Sequence, residues 1–85
     1  MITSTQMRAA RALAQIDQKA LAEMAGVSLP TIQRMEASDG VVRANVDTLM
    51  KVIDALERAG IVLIGENQTS EAAGRGVRLR EPSLK

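Results

Sequence analysis

Apolar residues recur along the chain in three short helical patterns and one longer one, and only after Gly60 does the spacing shorten to that of strands. Each short pattern opens in the same way. Thr3 stands three residues before Gln6, the spacing of a capping box, with Ile2 and Met7 at the positions that staple across it. Asp17 opens the second segment between Ile16 and Leu21, and Ser28 opens the third between Val27 and Ile32. Pro30 supports that third start, because an early helical position has no partner for the N–H that proline lacks. The fourth segment runs from a cap at Asn45 to about Ala59, with Val46, Leu49, Met50, Ile53 and Leu56 expected on its inner face and Gly60 ending it. Beyond it, "IVLIGE" and "GVRLRE" read as two strands flanking the polar stretch "NQTSEAAGR", and "EPSLK" reads as a frayed tail.

The middle pair of helices carries the chemistry. In "QKALAEMAGVSLPTIQRME", Ala22 is small where two helices must approach, Gly26 sits where a left-handed turn is needed, and Leu21, Val27, Ile32 and Met35 face inward. This is the pattern of a helix-turn-helix, whose second helix enters the major groove of DNA. Taken without the surrounding motif, Leu29 and Pro30 read better as an ordinary helix entrance packed on a neighbouring loop, and Arg34 as a solvated charge.

Composition narrows the function. The chain has 85 residues, enough for one small domain with a thin core, for which oligomerisation is a natural supplement. It contains no cysteine and no histidine, so disulfides, thiolate chemistry and the commonest general base and metal ligand are excluded. We expect no enzyme activity, no cofactor and no metal site, and read the five methionines as core filler. No apolar run approaches the roughly 20 residues that span a bilayer. A cytoplasmic protein, nucleoid-associated when bound to DNA, is the expectation. The absence of Phe, Tyr and Trp argues against single-strand binding, which relies on stacking, and favours duplex DNA. A net charge of +1 supplies no general attraction for phosphates, so binding must rest on a local field.

Residues 18–36 resemble the helix-turn-helix of the lambda-repressor and Cro-like, XRE-type family of bacterial and phage regulators. The opening "MITSTQMRAARALAQIDQKALA" and the endings "AGIVLIGEN" and "GVRLRE" are similar to those of short bacterial members. The resemblance implies a mainly α fold: a four-helix lambda-repressor-like DNA-binding domain over residues 1–60 with a short C-terminal β-hairpin over 61–81 and a tail at 82–85. It implies base reading by Leu29, Pro30, Gln33 and Arg34 on the helix spanning 28–37. Arginine can grip guanine and glutamine adenine, while Leu29 and Pro30 offer apolar contact to thymine methyl groups. Phosphate contacts are expected from Gln18, Lys19, Ser28, Thr31 and Arg43, with Arg8 a further candidate. Similar family members pair an arginine of the first helix with the glutamate of the third, which here implies Arg11 with Glu36. Ala37-Ser38-Asp39-Gly40 replaces the family's usual glycine after the third helix, and the stretch from Gln68 to Arg75 is longer than its usual connection.

Two strands alone are marginal in water, so the hairpin must pack on the helices or pair with another chain. We expect a homodimer on a palindromic DNA operator, with Ile61, Val62, Leu63, Ile64, Val77 and Leu79 as dimerisation residues. The expected role is a sequence-specific repressor. The alternative is an antitoxin-like or adaptor protein whose strands bind an unlike protein partner, with DNA binding serving autoregulation.

Overall fold

The computed structural model describes residues 2–65 and 74–80. Four helices are followed by two strands: α1 Ser4–Ala14, α2 Gln18–Ala25, α3 Leu29–Glu36, α4 Val46–Arg58, β1 Ile61–Ile64 and β2 Gly76–Leu79. The stretch 66–73 within the expected polar connection and the tail at 81–85 lie outside the described residues.

Every cap expected from the spacing forms. Thr3 accepts from the Gln6 N–H and Gln6 reaches back to the Thr3 N–H, while Asp17, Ser28 and Asn45 accept from Ala20, Thr31 and Thr48. Each satisfies a first-turn N–H that the helix itself cannot. The stapling residues follow them inward: Met7, Leu21 and Ile32 are buried, and Ile2, Ile16 and Val27 lie in or against the same core. That core continues through Ala10, Met35, Leu49, Val52, Leu56 and Ile61.

One expectation about α4 is corrected. Its inner stripe is Leu49, Val52, Ala55 and Leu56, while Val46 and Met50 are 71% and 55% exposed and Ile53 is only partly buried. The helix is rotated so that positions three and four apart from Leu49 meet the core, and this leaves Val46 and Met50 on the flank.

Gly60 has φ 91°, a left-handed turn that ends α4 and starts the hairpin. The strands pair antiparallel, with Ile61 opposite Leu79, Val62 opposite Arg78, Leu63 opposite Val77 and Ile64 opposite Gly76. Alternation points Ile61 and Leu63 toward α1 and α4, and Val77 joins them against the core. The dimerisation set is therefore divided by the structure. Ile61 is fully buried in its own chain, and Leu63 and Val77 pack on that core while remaining partly accessible. Val62, Ile64 and Leu79 keep accessible surface.

Candidate nucleic-acid interface

The turn between α2 and α3 is built from main-chain bonds. Gly26 takes φ 71°, its N–H donates to the Glu23 carbonyl at 3.3 Å, and the Val27 N–H donates to the Ala22 carbonyl at 3.0 Å. A Cβ at Gly26 would meet nothing within 4 Å, so the glycine is required by conformation and not by space. Two residues later, extended Ser28 restarts the helix, and Ile32, Met35 and Glu36 turn inward.

The opposite face of α3 is open. Pro30, Gln33 and Arg34 are exposed, and the Gln33 and Arg34 side chains have no hydrogen-bond or ionic partner among the described residues. Lys19 and Arg43 are likewise exposed and unpaired there. Ser28 and Thr31 lie beside them with their hydroxyls 2.8 Å apart. Ser38 accepts from the Arg43 N–H at 3.5 Å and donates to the Arg34 carbonyl at 3.4 Å, which brings the loop carrying Arg43 to the end of α3. Leu29 differs from its expected neighbours, because it is half-buried and packs against the core. Only part of its side chain faces outward.

Behind this face lies a polar cluster centred on Glu36, which is 4% exposed. The Arg11 guanidinium grips both of its oxygens, Nε to Oε2 at 2.6 Å and Nη2 to Oε1 at 2.9 Å, and Nη1 donates to the Ile16 carbonyl at 3.2 Å. Gln18 Nε2 donates to Glu36 Oε1 at 3.0 Å. Arg8 donates to the Glu36 carbonyl oxygen and at 3.4 Å to Thr5 Oγ1. One carboxylate thus fastens α1, α2 and α3 together. Burial pushes the Glu36 carboxyl up, but hydrogen bonds from Arg11 and Gln18 and the charges of Arg11 and Arg8 outweigh it and hold the group below its ordinary range. The same contact raises Arg11, chiefly through its hydrogen bond to Glu36.

Two expected phosphate contacts change character here. The Gln18 carboxamide is engaged by Glu36, and what Gln18 and Lys19 offer outward at the start of α2 is their main-chain N–H groups, which have no acceptor among the described residues. Arg8, though exposed, is engaged by the Glu36 carbonyl and Thr5. Spacing on a single helix could not reveal either role, because the partner lies on another element.

Three of the acids are paired within the fold. On α4, Asp47 pairs with Lys51 at 3.3 Å and Asp54 with Arg58 at 2.9 Å, and Arg58 also donates to the Met24 carbonyl at 2.8 Å. With Glu36 tied to Arg11, these acids are neutralised where they stand. Lys19, Arg34 and Arg43 remain unpaired around the helix-turn-helix, as do the carboxylates of Asp17, Glu23 and Asp39. No helix of the described residues is long and apolar enough to cross a membrane, and no group of acidic residues among them could hold a metal ion.

A comparison with protein-family models matches residues 7–59 to a helix-turn-helix family. A search of curated proteins finds no match. The matched segment begins in α1, contains the turn at Gly26 and both helices around it, and ends just after α4, so it takes in the Glu36 cluster and most of the core, while Ile2, Ile61 and the hairpin lie outside it. With its exposed Gln33–Arg34 face, the chain belongs to the XRE-type helix-turn-helix family of DNA-binding transcriptional regulators.

Proposed function

We propose that the protein is a sequence-specific repressor that inserts α3 into the major groove of duplex DNA and works in the cytoplasm, on the nucleoid. The observation that carries this reading is the pair Gln33 and Arg34, exposed and unpartnered on a helix whose other face is held rigidly through Glu36. An arginine can take both acceptors of a guanine, and an adjacent glutamine can bond adenine. Pro30 and the outer part of Leu29 suit thymine methyl groups. Ser28, Thr31, Lys19, Arg43 and the free N–H groups at the start of α2 suit flanking phosphates. Occupancy of promoter DNA is enough for repression.

Selection of bound duplexes from a random pool supplies the site for the test. Arg34→Ala is expected to weaken binding to that site by about 1 to 3 kcal/mol and relax preference at one base pair, whereas Lys19→Ala weakens all duplexes alike. Equal, sequence-blind losses from both would remove Arg34 as a base reader.

One α3 makes too few base contacts to discriminate against a genome, so we further propose a two-fold dimer on a palindromic operator with half-sites about 34 to 36 Å apart. The edge of β1 on which no described strand pairs and the exposed Val46 and Met50 of α4 are the surfaces that favour it. Light scattering is expected to give twice the chain mass at tens of micromolar. A monomer both with and without operator would sink the dimer.

A further inference from the structure

The hairpin carries a surface apart from the proposed reading face of α3. Along β2 the sequence alternates Val77, Arg78, Leu79 and then Arg80 just beyond the strand. Val77 faces the core, and Leu79, opposite Ile61 on the same side, is 51% exposed. Arg78 and Arg80 point the other way, as do Val62 and Ile64, and both arginines are exposed and unpaired among the described residues. Ile64 reaches across the sheet to within 3.8 Å of where a Cβ on Gly76 would stand. The outer face is therefore an apolar pair beside two cations.

The edge of β2 matches this face. The Arg80 N–H donates to the Gly60 carbonyl, at 2.6 Å, which marks these residues as a bonded pair. In an antiparallel ladder bonded and non-bonded pairs alternate, so the main-chain groups of Val77 and Leu79 turn away from β1. No strand lies on that edge among the described residues. A strand added there would place alternate side chains opposite Arg78 and Arg80 on one face and beside half-exposed Leu79 on the other.

We propose that the β2 edge docks an extended segment of an unlike protein in which acidic residues alternate with apolar ones. The chemistry distinguishes this occupant from its rivals. A second copy of β2 paired across a two-fold would set arginine against arginine, a like-charge contact that destabilises a sheet. A DNA backbone would answer the arginines but leave Leu79 and the open main-chain groups without partners. An acidic, alternating strand satisfies the charges, the apolar residue and the edge together, in the manner of strand addition. Carboxylates two residues apart repeat at the spacing of Arg78 and Arg80.

The test uses the full chain and three labelled octapeptides, alternating valine with glutamate, valine with lysine, and serine with glutamate, measured by fluorescence anisotropy at physiological salt. The valine–glutamate peptide is expected to bind at least tenfold tighter than either other. Arg78→Glu with Arg80→Glu should abolish that preference, Arg78→Lys with Arg80→Lys should retain part of it, and amide shifts should map to β2 and not to α3. The charge-reversed variant should keep operator affinity within twofold. Equal binding of the two glutamate peptides would reduce the surface to bare charge and overturn the proposal. Loss of operator affinity in the charge-reversed variant, with circular dichroism unchanged, would overturn it by marking the arginines as phosphate contacts. A failure of peptide binding with operator binding intact would overturn this inference alone.

Discussion

Glu36→Ala is expected to destabilise the protein by about 3 to 5 kcal/mol, the largest loss from any single substitution considered, because it strands the polar groups that converge on one buried carboxylate. Arg11 loses both hydrogen bonds to its partner while most of its side chain stays covered, and Gln18 loses its acceptor. Replacing both Arg11 and Glu36 by methionine is expected to recover much of the loss, since no charge is then left unpaired. The effect has a pH signature. The folded carboxyl lies below its ordinary value, so its stabilisation is complete above the unfolded value of about 4.3 and disappears as pH falls through the folded one. Glu36→Gln should flatten that acid limb. Urea unfolding at neutral pH and an acid titration followed by circular dichroism measure both effects; a loss under about 1 kcal/mol from Glu36→Ala would show that the cluster contributes position and little stability.

Gln6→Glu is expected to cost about 2 to 3 kcal/mol, although by helix rules it should help. Glutamate is a favoured residue at this place in a capping box, and its charge suits a helix start. In the fold, however, Gln6 is buried and its Nε2 donates to the carbonyls of Ile64 at 2.9 Å and Gly76 at 3.0 Å, while its Oε1 accepts from the Thr3 N–H at 2.9 Å. A carboxylate keeps the cap and turns an oxygen on two carbonyl oxygens. Gln6→Ala, which removes the donor without adding an acceptor, should cost less. Hydrogen exchange should report the loss at β1 and β2 before the helices. Stabilisation by Gln6→Glu would mean that the cap outweighs the hairpin contact.

Local rules were sufficient for much of this molecule. The caps at Thr3, Asp17, Ser28 and Asn45 depend on residues within three positions, and the turn at Gly26 depends on one backbone angle, so each is legible from a few neighbouring letters. The end of α1 was not, because Gln15 makes the left-handed turn at φ 59° without glycine. The exposed Gln33 and Arg34 were also readable, since helical period separates them from Ile32 and Met35.

By itself, then, the sequence determined four capped helices, a helix-turn-helix with an exposed polar face, and two strands, because each of these follows from short-range spacing and backbone preference. Only the tertiary structure decided what the polar side chains do. Gln6 ties the first helix to the hairpin, Gln18 and Arg8 hydrogen-bond Glu36, and Ile61 closes the core of its own chain. A hydrogen bond takes its meaning from the group at its other end, and Gln6 lies 58 and 70 positions from the carbonyls it holds. No periodicity within one helix can bring those atoms together; packing against another element does.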